Sequence, residues 1–550
     1  MQRAILLPAL FVFVAVTVQL TSGRGAVELD SSFLWQAAKQ WVEYGEPAVE
    51  WGKSPLIHTR ADGRRFSPYP LGVTMTMVPS YLALRAICPS MHNDPAHAFW
   101  EVFLLKAPNS ALAGLLAVFA FVLFRQLHVS RWLATVLALS AVFATNCAFY
   151  YRLSYAEGLQ ATALCGTVAA AMAFRHRPAA WKAVLVGLAW GWLLQSKILF
   201  VVVAPLVCVY MLVPAPSRAP EVTSPPRDAA RARYRHRLLA FLGVLPPALG
   251  SIGLALWFNH LRYGEWLALG YGAGGYGFTN SMAVGLYGLL LAPGKSVFLY
   301  SPILILGLFG ATRMFRSHRA ESLLLAAILC ATIPLFAKWW AWSGDWAWGP
   351  RFLVPLVPLM MMPAALALSP GTGWSPRLGL LVRGVVGPAL LVAGLVVASL
   401  GNWVQCWWYI GAANDALTVT PAPRDDLAHL HFLPEWQPIV AHAWIAWYVA
   451  TGRTPLPRRT PWARMYDDIP PYDLTHLQRM ELDYWVTDHV APRSADAARP
   501  ETSSTAAALA IALGVMALAS AGAVGFGVGR AYRHYPARVR RAPRQPRTST

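Results

Sequence analysis

Long apolar runs broken by short arginine-bearing segments set the pattern of this chain. They lie near 4–21, 108–125, 130–149, 158–174, 181–195, 198–213, 238–258, 295–311, 321–337, 352–368, 383–401 and 506–529. Runs of about 17–24 apolar residues are long enough to cross a hydrocarbon core as helices. They do not alternate apolar and polar with period two, as the strands of a membrane barrel would. The pattern predicts an all-α polytopic membrane protein with about twelve transmembrane helices.

The polar segments assign the two sides. RQLHVSR, RHRPAAWK and RMFRSHR fall on one side. So do the 214–237 loop, with six Arg against two acids, the 369–382 loop, and a tail from Arg530 with seven Arg and no acid. Arginine gathers in loops that stay inside, so this is the cytoplasmic side of a multi-pass cell (inner or plasma) membrane protein. The assignment requires that 71–88, LGVTMTMVPSYLALRAIC, not cross. If it crossed, every later loop would change sides. It is expected to lie at the outer interface, within a first outer loop spanning 22–107. The other outer segments are YYRLSYAEG, the 259–294 loop, WWAWSGDWAWGPR and a stretch from 402 to 505 large enough for a small cap. The first run, 4–21, is either a cleaved signal peptide ending near Ser22-Gly23 or a retained helix.

Composition narrows the function classes. Of 550 residues, 56% are hydrophobic and 13% charged, with 24 Trp; soluble domains carry roughly 25% charged residues. A net charge of +20 would suggest nucleic acid in a soluble protein. Here it follows from the inside loops, and no nucleic-acid partner is expected. The Trp and Tyr clusters at 339–348 and 403–409 fit an interfacial aromatic belt. Four cysteines, Cys147, Cys165, Cys208 and Cys330, lie in apolar runs, while Cys88 and Cys406 both fall outside and are candidates to pair.

The candidate chemistry sits at outer helix ends. Asp30 opens an amphipathic segment in which Phe33, Leu34, Ala37, Ala38, Trp41 and Val42 recur at helical spacing. A carboxylate there is a helix cap, a catalytic group, or both. Glu157, preceded by Arg152, heads the helix after RLSY. Either it complements the helix dipole, or Asp30 and Glu157 share acid–base duty or a hard divalent cation (Mg, Mn or Zn). Lys197 interrupts an almost unbroken apolar stretch. It is either exposed by a short turn or meets an anionic headgroup. Arg351 stands at an outer helix start, where it can grip phosphate bidentately or pair internally with Asp345. LAPGKS at 291–296 is not a phosphate loop, because Leu289 stands where the pattern requires Gly. His429, His431 and His442 form only a weak ligand pattern.

Several stretches resemble one family. Asp30 to Gly45 resembles the first outer loop of polyprenol-dependent membrane glycosyltransferases, the GT-C fold of the protein mannosyltransferase and aminoarabinose transferase superfamily. FSPYPLGVTMTMVPSYLAL resembles the Pro-bearing interfacial helix that follows, RLSYAEG the second acidic loop, and GLAWGWLLQSKILF the helix that presents a Lys. FNHLRYGEWLALGYG, LYGLLLAPGKSVFLYSPILILGLFG and WSGDWAWGPRFLVPLVPLM resemble the RgtA/B/C/D-like bacterial branch. The likeness spans roughly 4–400 and continues weakly through HFLPEWQPIVAH. It departs at Ser31, where the family has a second acid, and at Tyr69-Pro70, where many members have Lys-Pro. A missing phosphate-binding cation would then come from Lys53, Arg64, Arg65 or Lys106.

The resemblance implies a GT-C-like catalytic module over 1–401 with its first helix retained. An outer segment (402–505), a last transmembrane helix (506–529) and a basic cytoplasmic tail (530–550) follow. It implies an inverting transfer of a sugar from a polyprenyl-phosphate donor to a glycan, lipid or protein acceptor on the outer face. Asp30 and Glu157 would be catalytic, with the two tentatively on a metal. Lys197, Arg152 and Arg351 would hold the donor phosphate, and Tyr69 and Asp345 would contact substrate. The rival classes are a twelve-helix transporter, which would place its groups at the bilayer midplane and show internal repeats, and a non-catalytic glycan-assembly subunit on the same scaffold.

Overall fold

The computed structural model describes residues 2–22, 29–50, 57–90, 96–215, 227–268, 277–344, 347–371, 374–403, 431–434, 437–440, 442–443 and 500–533. In chain order, α1 (Gln2–Leu20) and α2 (Leu29–Tyr44) precede a small hairpin, β1 (His58–Thr59) and β2 (Arg65–Phe66), and then α3 (Leu71–Ile87). Next come α4 (His97–Gln126), α5 (Arg131–Phe143), the short α6 (Cys147–Arg152), α7 (Ala156–His176) and α8 (Ala180–Ser196). A 3-10 turn, Ile198–Val202, leads into α9 (Val203–Leu212), followed by α10 (Arg227–Phe241) and α11 (Leu245–Tyr263). Then follow α12 (Met282–Leu290), α13 (Val297–Tyr300), α14 (Ile305–Ser317) and α15 (Arg319–Lys338). A second 3-10 turn, Arg351–Leu356, opens α16 (Val357–Leu368); α17 (Pro376–Leu381), α18 (Gly387–Trp403) and α19 (Pro500–Arg533) complete the described elements.

Each expected crossing coincides with helix. Six segments are long and apolar enough to span a bilayer: His97–Gln126, Tyr234–Tyr263, Arg319–Lys338, Arg351–Leu368, Pro376–Asn402 and Ala507–Val528. This is a multi-pass membrane protein, and its surface says so as well. Leu249, Leu380 and Leu518 stand exposed on α11, α17 and α19, where water would penalise them and lipid does not. Two expectations change in detail. The 130–149 run is two helices, α5 and α6, separated at Ala144 to Asn146. Cys147 N donates to Thr145 Oγ1 (3.2 Å), and Asn146 N donates to Ser301 Oγ (3.0 Å). The 22–107 loop ends earlier than expected, because α4 already begins at His97.

α7 is the centre. Nearly every residue from Glu157 to Arg175 is buried, and it packs against α4, α8 and the Arg351–Leu356 turn. Because it faces protein rather than lipid, it can carry Thr162 and Thr167, whose hydroxyls bond to backbone carbonyls within the protein. Thr162 bridges α6 and α4, with Tyr151 Oη at 2.7 Å and the Leu112 carbonyl at 3.0 Å. At the other end of α7, Arg175 meets Glu321 at the start of α15 (2.8 Å), and Tyr210 of α9 donates to the same oxygen (2.8 Å). Arg237 of α10 reaches the carbonyls of Met211 (2.8 Å) and Arg175 (3.0 Å). The inner ends of α7, α9, α10 and α15 are thus tied by buried, charge-assisted bonds.

The first outer loop is pinned to α11. Arg60 donates to the Leu261 carbonyl (2.9 Å), and Arg262 to the carbonyls of Ser67 (2.9 Å) and Tyr69 (3.0 Å). At the hairpin tip the hydrogen bond from Arg60, helped by the Arg64 amide, holds the Asp62 carboxyl down at about 2. α3 then starts hard against the outer end of α8: a Cβ on Gly72 would lie 2.7 Å from the Gln195 carbonyl oxygen. At 17 residues with an internal Pro79, α3 is not among the six spanning segments. Cys88 is buried at its end; Cys406 and most of 402–505 lie outside the described residues.

Small residues set the helix spacing, as expected where lipid gives no hydrophobic drive between helices. At Gly310 of α14 a Cβ would lie 1.9 Å from the Pro363 carbonyl oxygen of α16, whereas at Gly514 of α19 it would meet nothing. Gly310→Val is expected to cost about 1–3 kcal/mol through overpacking and Gly514→Val almost nothing. Thermal unfolding of both variants in detergent checks this; equal midpoints would show that α14 and α16 do not meet as described.

Candidate active site

The site is built on the elbow between α6 and α7. This elbow is held by a residue that sequence reasoning passed over, Asn109 of α4. Its amide nitrogen lies within hydrogen-bond reach of the carbonyls of Leu153, Tyr150 (3.1 Å) and Tyr155 (3.1 Å). Ser154 adds a bond to the Leu105 carbonyl (3.0 Å). A polar residue inside the apolar run KAPNSALAG was the available signal. Fixing the elbow fixes its two charged residues. Arg152 closes α6, is 3% exposed, and donates Nε to the Thr21 carbonyl at the end of α1 (2.6 Å). A cation is favourable at a helix C-terminus.

Glu157 lies in the first turn of α7 and is 1% exposed. Its Oε1 accepts from Arg351 Nε at 2.7 Å, while Oε2 is buried with no hydrogen-bond partner among the described residues. Arg351 also lies over the Tyr155 ring, 4.6 Å from the centroid. Arg351 therefore has Glu157 as a partner; Asp345, the internal partner considered from sequence, lies outside the described residues. The aromatic loop reaches this position through two left-handed glycines, Gly344 (φ 68) and Gly349 (φ 63). A Cβ at Gly344 would press on Arg351 Cβ at 2.9 Å, and one at Gly349 on the Tyr300 ring at 2.6 Å.

A second cation supports that loop. Lys295, from the LAPGKS stretch, is buried and donates Nζ to the Ala347 carbonyl (2.6 Å). Trp348 is buried beside it: Tyr150 Oη donates to its carbonyl (2.8 Å), and the rings of Tyr300 and His442 lie 5.1 and 4.5 Å away. His431 and His442 thus pack against the aromatic loop, and His442 Nδ1 lies 3.0 Å from the Leu400 carbonyl. His429 lies outside the described residues.

Lys197 stands where α8 stops. Its backbone is extended (φ −163, ψ 118), and Nζ sits 3.9 Å from the Phe352 ring centroid and 5.2 Å from that of Phe336. Those two rings stack at 5.6 Å. Phe352 is the chain neighbour of Arg351, so the aromatic notch that seats Lys197 adjoins the Glu157–Arg351 pair. The structure therefore gathers Arg152, Glu157, Arg351 and Lys197 around one elbow at one end of the helices. Tyr69 contributes its carbonyl to Arg262 and packs its partly buried ring on the core. Asp30 is the second residue of α2, and its side chain lies outside the described residues. Of the other cations considered, Lys106 is buried in α4, Arg64 pairs with Glu46, Arg65 is in β2, and Lys53 lies outside the described residues.

A divalent cation needs several oxygen ligands. Among the described residues no group of three or more His, Cys, Asp or Glu converges, and one oxygen of Glu157 is already taken by Arg351. These residues do not by themselves make a cation site.

No family model matches the chain, and no curated protein does. Among solved structures it is similar to ArnT from Cupriavidus metallidurans in the apo state, with 14% identity and a TM-score of 0.45 over 95% of this chain and 77% of that one. For the same protein bound to undecaprenyl phosphate the values are 15%, 0.42, 97% and 80%. It is also similar to the archaeal oligosaccharyltransferase AglB from Archaeoglobus fulgidus, in complex with an inhibitory peptide and a dolichol-phosphate, with 9% identity and a TM-score of 0.43 over 92% of this chain and 68% of that one.

Proposed function

We propose that the protein is an integral-membrane inverting glycosyltransferase. It moves a sugar from a polyprenyl-phosphate carrier to a hydroxyl of a glycan, lipid or protein on the outer face. The observation that carries this reading is the buried Glu157–Arg351 pair, flanked by Arg152 and the Lys197 notch, at one end of enclosed helices that more apolar, lipid-facing helices surround. A donor with an apolar tail and a phosphate at headgroup depth fits that combination of surfaces. Its phosphate meets Arg351, Arg152 and Lys197.

In the reaction, the acceptor oxygen attacks the anomeric carbon and gives its proton to the Asp30 carboxylate. The bond from that carbon to the phosphate oxygen breaks, and its electron pair stays on the phosphate. The growing charge there falls on guanidinium and ammonium groups already in place, so little reorganisation is needed. Glu157 acts on Arg351, fixing the plane of the guanidinium, and offers Oε2 to a substrate hydroxyl. A divalent cation enters this reading only through Asp30 and Glu157 together, and the step is written without it.

Transfer by purified protein from a polyprenyl-phosphate sugar tests the reading and separates it from a transporter or an inert subunit. Asp30→Asn is expected to lose at least the roughly 10²–10⁴-fold that a general base supplies while remaining folded in the membrane; normal turnover would remove Asp30 from the role. Lys197→Ala is expected to weaken donor binding about ten- to a hundredfold, the worth of a charge-assisted bond, and to leave acceptor affinity alone. A parallel loss for both substrates would contradict that assignment.

The pair itself can be dissected. Arg351→Gln leaves Glu157 buried and uncompensated, and is expected to destabilise the fold by about 3–5 kcal/mol. Adding Glu157→Gln should recover most of the thermal stability but none of the transfer. Recovered activity in the double variant would show that the pair is only a structural tie.

A further inference from the structure

Two arginines meet at the end of α16. Arg313, near the end of α14, is held there by backbone: Nη1 donates to the carbonyls of Leu366 (2.6 Å) and Ser369 (2.9 Å), and Nη2 to that of Pro370 (2.7 Å). A guanidinium carries more N–H donors than these bonds use, and Arg313 has no carboxylate partner among the described residues. Arg383 stands in a π-helical turn, Val382–Val386, between α17 and α18; isolated π turns are frequent at functional sites. Its guanidinium folds back over Gly379, with Nη2 3.0 Å and Nη1 3.1 Å from where a Cβ would stand. It makes no hydrogen bond or ion pair among the described residues. The same turn abuts α16, because a Cβ on Gly387 would lie 2.5 Å from Leu368 Cδ2. Leu368 sits between the Leu366 and Ser369 carbonyls that hold Arg313, so the two guanidiniums flank one helix end.

The pair lacks a counter-charge. Neither 305–320 nor 369–386 contains an acid, although they carry Arg313, Arg316, Arg319, Arg377 and Arg383. Glu321, the next acid along the chain, is committed to Arg175 and Tyr210. Burial, with the Arg383 charge adding to it, holds the Arg313 pKa below its ordinary value. Like charges at a partly dry helix end repel, and an anion with several acceptor oxygens relieves both at once. The surroundings say which anion. Leu378, Leu380 and Leu381 of α17 are exposed beside the arginines, a surface that suits hydrocarbon. RMFRSHR and the 369–382 loop are inside segments by their arginines, which sets the pair at headgroup depth. We propose that Arg313 and Arg383 together bind the phosphate of one net-anionic phospholipid, whose acyl chains lie along α17. Arg313 is the fixed half of the clamp, since three carbonyls orient it. Arg383 closes on the phosphate from the π turn. Basic clefts between membrane helices take such headgroups on the cytoplasmic side.

The test is lipid retention by the full-length, delipidated protein in mild detergent, read by native mass spectrometry with palmitoyl-oleoyl phosphatidylglycerol or phosphatidylcholine. Wild type is expected to retain one phosphatidylglycerol about tenfold better, the worth of one charge-assisted bond. Arg383→Gln should abolish that preference and leave the thermal midpoint alone, since no internal bond is lost. Gly379→Val should abolish it too, with the charge unchanged, because the new side chain fills the place where the guanidinium lies. Arg177→Gln, an exposed arginine of the RHRPAAWK segment, should keep the preference. Equal retention of the two lipids by wild type, or an undiminished preference in Arg383→Gln or Gly379→Val, overturns the proposal. So does its loss in Arg177→Gln, which would make the attraction a matter of overall charge. Displacement of the lipid by inorganic phosphate also overturns it, by showing that the site takes the free ion.

Discussion

A carboxylate and a guanidinium held 2.7 Å apart at the outer end of the central helix impose most of what surrounds them. Glu157 is buried too deeply to be an isolated anion, since removing such a charge from water costs several kcal/mol. It needs a cation, and Arg351 reaches it only if the aromatic loop before it folds back sharply. That demands left-handed backbone at Gly344 and Gly349, a carbonyl contact from Lys295 and the tight seating of Trp348. On the other side it demands an elbow that does not drift, and Asn109 supplies that by gathering carbonyls of the turn. Each of these contacts is polar and buried, so each works at low local dielectric and tolerates little displacement.

The same constraint explains where the charges lie. Arg152 and Lys197 both mark places where a helix stops, α6 and α8. Helix ends carry unsatisfied carbonyls and partial negative charge, so a cation there is stabilised before any ligand arrives. Lys197 has the further help of two stacked rings, whose faces attract a cation. The charges around the elbow are thus pre-positioned by backbone termini and aromatic faces, and the lipid-facing helices outside them stay apolar.

Much of this was legible in the sequence. Run length located the helices, while the sides that arginine placement assigns, with α3 kept from crossing, are an expectation of the sequence. Glu157, Arg152, Lys197 and Arg351 stood out as charges at the margins of apolar runs. What could not be read was pairing across the chain. Arg351 donates to Glu157, 194 residues away, a pairing that no spacing along the chain announces. Asn109, Lys295 and Arg262 were missed for a related reason: each acts on backbone carbonyls, and carbonyls leave no mark in composition.

Hydropathy also misjudges the middle of a bundle. α7 is buried along nearly its whole length, yet it is not among the six segments that qualify as spans. A helix that touches lipid must be apolar, but one ringed by other helices need only satisfy its polar groups. The Tyr234–Tyr263 and Ala507–Val528 segments are the reverse case: only 11% of each spanning window is buried, and the windows are almost wholly apolar. The Arg351–Leu368 segment is just as enclosed, with 89% of its window buried, and it is apolar beyond Arg351, so enclosure permits polar residues without requiring them. Glu157 uses that permission: it lies on an enclosed helix and is met there by Arg351.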